Sequence, residues 1–143
     1  MFFENINYIT VVVSTILAMG LGFVWYSPIM FGKRWMKEMN YTPEVMEELK
    51  QKNGSGGMAR TYSISTLQTL VASIIVAALL NSLIITSLGG LALFGFLLWL
   101  AFSMPVALNN TLFGKDSLPL TAINSGYQLG AILILVLVNG IWG

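Results

Sequence analysis

The chain has 143 residues, of which 56% are hydrophobic and 9% charged, with a formal net charge of +1 and no cysteine or histidine. An average soluble domain carries roughly 25% charged residues, so a chain this apolar, with a mean hydropathy of +0.78, lacks the polar atoms to cover a soluble surface. Composition excludes disulfides, thiol chemistry, the common zinc sites and imidazole acid–base catalysis, and a near-neutral chain without a clustered basic face offers nucleic acid no footing.

A helix needs about 20 apolar residues to cross a hydrocarbon core about 30 Å thick. The first such segment runs from Ile6 to Tyr26 and contains no charge. The residues before it hold Glu4 and no Lys or Arg, and the apolar run is too long for a secretory signal, so it reads as a retained span. Ser14, Ala18 and Gly22 recur in it at a spacing of four, a stripe that lets two backbones approach closely.

Residues 27–62 form a polar connector too short to be a domain. Pro28 ends or kinks the first span. Lys33, Arg34, Trp35, Met36, Lys37 and Met39 mix cationic and apolar side chains, as an interfacial helix does. Thr42-Pro43-Glu44 is a helix start: a capping hydroxyl, proline at the first helical position, then an acid near the positive end of the dipole. Val45, Met46 and Leu49 give that helix an apolar edge, and Asn53-Gly54-Ser55-Gly56-Gly57 ends it with a flexible joint before Arg60. The connector reads as a linker lying on lipid headgroups; a docking or regulatory arm is the alternative.

The second span covers Ile64 to Thr86, with Ser65, Gln68, Thr69 and Ser73 near its start. Ser87-Leu88-Gly89-Gly90 is a tight turn that forces an antiparallel hairpin with the third span, Gly89 to Leu108. Trp99 falls near the middle of that span and reads as a packing residue. After the short connector Asn109 to Ser117 comes the fourth span, Leu118 to Trp142. It carries Asn124 and Gln128 one turn apart, and Ala122, Gly126 and Gly130 at a spacing of four. The expected fold is all-α: an integral membrane four-helix bundle in one domain, with a cytoplasmic amphipathic connector between its first and second helices. Gly22, Ala122, Gly126 and Gly130 are its expected packing residues, within the bundle or between the subunits of a homo-oligomer.

All seven cationic residues lie in two connectors. Lys33, Arg34, Lys37, Lys50, Lys52 and Arg60 are in the first and Lys115 is in the third. The positive-inside rule places both in the cytoplasm and both termini outside, in a multi-pass protein of the inner membrane. Trp25, Tyr26, Trp35 and Tyr62 then mark the inner interface and Trp142 the outer one. Sequons at Asn40, Asn53 and Asn109 carry no weight on that side. Met30-Phe31-Gly32-Lys33 is echoed by Leu112-Phe113-Gly114-Lys115, as in a parallel repeat.

No Asp, Glu, Lys or Arg falls inside a span; Glu4 and Asp116 sit at the edges. Ion-coupled carriers keep an ionisable group in the membrane, so proton-coupled exchange is disfavoured. Catalysis is disfavoured too, and no cofactor, metal or catalytic residue is expected. Gly54 to Gly57 lacks the Gly-Lys-Ser of a phosphate loop. The spans hold amides and hydroxyls instead, most of them in the inner half, with Asn81 and Asn139 in the outer half. Gln68, Asn109, Asn124 and Gln128 are expected to converge on an inward-facing pocket that binds or passes a small neutral solute, since no fixed charge selects an ion. The plainer reading is interhelical hydrogen bonding at about 0.6 kcal/mol per bond. The competing function is a non-transporting structural or interaction protein acting through its basic connector; in either case the lipid bilayer is the expected partner.

Trp25-Tyr26-Ser27-Pro28, then Phe31-Gly32-Lys33 and Trp35-Met36, resemble the signature of the bacterial domain-of-unknown-function 1761 family. Asn109-Asn110 with Phe113, and Gly126-Tyr127, are also similar, so the resemblance extends over essentially the whole chain. It implies a small four-span membrane protein and no particular activity. Family members often carry an acid before the Gly-Tyr pair and a histidine after it; this chain has Asn124 and Gln128 instead. That departure speaks against proton handling here.

Overall fold

The computed structural model describes residues 3, 5–39, 41–53, 57–85, 87–114 and 116–142. Seven α-helices and one π-helical turn cover most of them, and no strand occurs among the described residues. Glu4, Asn40, Gly54 to Gly56, Thr86 and Lys115, each part of an expectation above, lie outside that set. Four helical segments are long and apolar enough to span a membrane: Tyr8–Trp25, Arg60–Ser82, Leu88–Leu112 and Leu118–Trp142. The chain is thus an all-helical membrane protein.

Helix α1 (Tyr8–Trp25) starts where Asn7 caps it, its Oδ1 accepting the Ile9 N–H at 3.0 Å and the Thr10 N–H at 3.4 Å. The cap satisfies donors that have no partner within the helix. At the other end the chain folds around Pro28, with the Phe31 N–H on Trp25 O at 3.0 Å and the Gly32 N–H on Ser27 O at 2.9 Å. Helices α2 (Gly32–Glu38) and α3 (Pro43–Asn53) follow, and Thr42 Oγ1 accepts the Val45 N–H at 3.2 Å.

Helix α4 (Gly57–Ser82) begins well before the apolar segment that opens at Ile64. Hydropathy marks where side chains suit hydrocarbon; it does not mark where the backbone stops being helical, and Met58, Ala59 and Arg60 are good helix formers. The turn after it also shifts. Ser87 caps α5 (Leu88–Leu98) by accepting the Gly90 N–H at 3.0 Å. Gly89 and Gly90 therefore belong to the first turn of the helix and not to the turn that joins the two spans. Helix α5, a π-helical turn (Trp99–Ser103) and α6 (Met104–Leu112) run on as one span. Pro105 explains the π turn. Proline has no N–H and its ring meets the carbonyl four residues back, so the hydrogen-bond ladder widens by one residue just ahead of it. Helix α7 (Leu118–Trp142) completes the bundle.

Helix α7 is the centre, and α1, α4 and α5 each pack on it. Ala18, Val76, Leu91, Ala131, Leu135 and Val136 join these four helices in one buried cluster. Bulky side chains such as Ile9, Ile16, Leu67 and Leu93 remain exposed on the outside. This is the distribution a bundle in lipid requires. Its surface needs no polar cover, and close packing rather than expulsion from water holds the helices together.

The core also holds a polar clamp. Ser14 and Ser73 are fully buried, and their hydroxyls lie 2.6 Å apart. Asn139 Nδ2 donates to both at 3.1 Å and to Leu135 O at 2.8 Å, tying α7 to α1 and α4. Asn139 Oδ1 is buried with no partner among the described residues. Counted from span ends, Ser73 and Asn139 belong to opposite membrane halves; their bond puts them at one level. A count from span ends leaves out how the helices are offset along the bundle; α7, for example, starts beyond the end of α1, whose last residue, Trp25, already lies beside Ile123. Replacing Ser14 and Ser73 together by alanine is expected to destabilise the fold by about 1–2 kcal/mol, since both interhelical bonds to Asn139 vanish. Thermal unfolding in detergent reads this directly, and an unchanged midpoint would show that the clamp adds nothing.

A carboxamide-lined groove as the candidate functional site

Below the π turn, α6 and α7 stay in contact and leave a groove between them. The gap is pinned at both ends. Above, Trp99 Nε1 donates to Ser125 O at 2.8 Å; below, the Thr111 and Thr121 hydroxyls bond each other. Beside these ties lies a cavity of about 300 Å³ lined by Phe102, Ser103, Val106, Ala107, Asn110, Asn124, Ser125 and Gln128. No charged residue among those described lines it.

Each wall follows from helical periodicity. Asn124 and Gln128 are one turn apart on α7, so they share a face. Phe102, Val106 and Asn110 recur at a spacing of four across the π turn and α6 and make the opposite wall. Asn124 is half-buried and oriented: Tyr26 donates its hydroxyl to Asn124 Oδ1 at 2.7 Å, which leaves the amide NH2 as the group a ligand can use. Asn110 and Gln128 are exposed, and neither side chain has a partner among the described residues.

The support behind Asn124 is aromatic. Trp25 Nε1 donates to Ile123 O at 2.9 Å, and Tyr127 donates its hydroxyl to Ala18 O at 3.1 Å. Tyr26 meets Tyr127 edge-on at 5.6 Å and Trp35 of α2 edge-on at 5.7 Å. Helix α2 is fastened at the start of α7: the Ser117 hydroxyl donates to Glu38 Oε2 at 2.7 Å, and Arg34 Nε pairs with Glu38 Oε1 at 2.9 Å. The connector is therefore packed under the groove at this point.

Of the four amides expected to converge, Asn124 and Gln128 line the cavity. Gln68 is exposed on α4 and Asn109 is exposed on α6, and neither lines it. One residue of helix is a rotation of about 100°, which is why Asn110 faces the groove and its neighbour Asn109 does not. Of the expected packing residues, a Cβ on Gly22 would lie 3.1 Å from the Tyr127 hydroxyl oxygen, one on Gly126 3.0 Å from Trp25, and one on Gly130 2.7 Å from Leu21. Ala122 is exposed. The two Phe-Gly-Lys segments differ in place: Gly32 opens a helix, whereas Gly114 follows one. The Tyr26 bond and the π turn were missed from sequence; Pro105 inside an apolar span was the available signal for the second.

No curated protein and no solved structure matches the chain. A family does: the one described as "Protein of unknown function (DUF1761)" matches residues 9–140, and the chain belongs to it.

Proposed function

We propose that the chain binds a small neutral solute in the groove between α6 and α7 without carrying out chemistry on it. The observation that carries this reading is the meeting of Asn110, Asn124 and Gln128 on one cavity of about 300 Å³ with no charged residue among its described lining. Carboxamides offer both donors and acceptors, and π turns recur at functional sites. The Trp99–Ser125 tie and the packed core above it favour binding over free passage. The experiment is saturable binding of radiolabelled glycerol and acetamide to the purified full chain. Binding of either is expected to weaken about fivefold in Asn110→Leu and in Gln128→Leu, the loss of one net hydrogen bond of about 1 kcal/mol. No binding of either probe, or equal binding by the variants, would sink the reading.

The same proposal sets the protein in the inner membrane with both termini outside and the groove near the cytoplasmic surface. Its support is the placement of every Lys and Arg in the two connectors. The chain has no native cysteine, Gln51 is exposed, and a side chain at Gly89 meets nothing within 4 Å. An impermeant thiol reagent is expected to label Gly89→Cys in intact cells and Gln51→Cys only after permeabilisation. The opposite pattern would invert the orientation.

A further inference from the structure

The groove has one wall missing. Phe102 is 70% exposed and Val106 59% exposed, so the cavity opens sideways, on the face that a bilayer covers. The side of a bound solute that faces this opening meets acyl chains, which give back no hydrogen bonds, so an apolar portion on that side completes the fit.

The groove is also graded along its length. Asn110 lies eight residues beyond Phe102, about 12 Å further toward the end of the span at 1.5 Å per residue. The carboxamide end is at the level of an aromatic collar. Tyr26, the residue after α1, bonds Asn124, and Trp35 packs on Tyr26. Tyr62, near the start of α4, meets Phe23 at 5.4 Å. Tryptophan and tyrosine concentrate at headgroup level, so Asn110 and Asn124 sit where lipid heads sit, while Val106 and Phe102 run toward the hydrocarbon.

We infer that the occupant is an amphiphile: a neutral, hydroxyl-bearing head of the glyceryl type on Asn110 and Asn124 that reaches Gln128 one turn deeper, with a hydrocarbon chain along Val106 and Phe102. This rests on the reading of the groove as a binding site and names the class of molecule it takes. The head is neutral because no charged residue among those described lines the cavity to balance a phosphate. It bears hydroxyls because the lining offers both an amide NH2 on Asn124 and two carboxamides without partners among the described residues. The chain fills the open side, where an apolar surface may face lipid at no cost in hydrogen bonds.

The test uses the full chain in phosphatidylcholine vesicles carrying a small mole fraction of a monoacylglycerol with a mid-chain diazirine. Adducts are mapped by peptide mass spectrometry after illumination. A phosphatidylcholine bearing the same diazirine chain measures ordinary lipid contact. Adducts within residues 99–107 are expected to be enriched for the monoacylglycerol over the phosphatidylcholine. That enrichment should fall about fivefold in Gln128→Leu and in Asn110→Leu, one hydrogen bond each, and stay unchanged in Gln68→Leu, whose carboxamide is outside the groove. Gln128→Asn keeps the amide and the fold while withdrawing it by one carbon, and should also lose enrichment. Equal labelling by both lipids, or enrichment that the groove variants leave intact, would overturn the inference. If glycerol binds saturably while the two lipids label alike, the amphiphile inference falls and the solute site stands. If neither glycerol nor the monoacylglycerol is selected, both fall.

Discussion

Gly32→Ala is expected to cost about 3 kcal/mol or more and to lower the unfolding midpoint in detergent far more than any surface change. A Cβ at Gly32 would lie 2.3 Å from Tyr26 O and 2.7 Å from the carbonyl of Ser27. Both obstacles are backbone, so no side chain can swing aside. The turn must open, and with it go the Gly32 N–H bond to Ser27 O and the Phe31 N–H bond to Trp25 O. Trp25 then loses its Phe31 neighbour at 4.7 Å, and Tyr26, which orients Asn124, loses its anchorage. Gly20→Ala is the control, because a Cβ there meets nothing within 4 Å and alanine favours a helix interior. Coincident melting of the two variants would show that the turn around Pro28 adapts, and that Gly32 has no such role.

The second large effect is expected at Gly126. A Cβ there would lie 3.0 Å from Trp25 Cζ2 and 3.4 Å from its Cη2. The indole cannot give way freely, since its Nε1 is bonded to Ile123 O at 2.9 Å. Gly126→Leu must therefore drive α1 from α7, at about 1–3 kcal/mol for overpacking a close contact. It should also blunt glycerol binding, because Trp25 and Tyr26 are adjacent and Tyr26 holds Asn124. Ala122→Leu, one turn earlier on the same helix, lies at an exposed position and should stay within about 0.5 kcal/mol of the parent. If both leucine variants unfold with the parent, the α1–α7 contact is not the tight one described. If they fall together, exposure at Ala122 does not mean freedom from contact, and the stripe is covered by something else.

Gly22, Gly126 and Gly130 also illustrate what periodicity can and cannot supply. A spacing of four identifies positions that share a stripe, and these three glycines do face the α1–α7 seam. It does not say where the partner helix ends, and Ala122 lies beyond Ile123, the residue that meets Trp25 at the end of α1. The amides divide the same way. Asn124 and Gln128 share one helix, so their common face follows from the helical repeat alone. Asn109 and Gln68 belong to other helices, whose rotation about their own axes no local rule specifies.

What the sequence determined by itself is what depends on single segments: the all-helical membrane class, the four spans, the capping roles of residues such as Thr42, and the family, through the blocks around Trp25 and Gly32. These follow from apolar length, from local hydrogen-bonding chemistry and from short motifs. Only the tertiary structure decided the stagger of the helices, which sets Asn139 against Ser73 and Tyr26 against Asn124. It alone showed the groove between α6 and α7, and the choice of Asn110 over Asn109 as the groove residue. In lipid no exposed apolar face has to be hidden, so hydropathy carries almost no information on which faces meet. That choice is made by small residues, indole and hydroxyl bonds and one proline-induced π turn, acting between segments far apart in the chain.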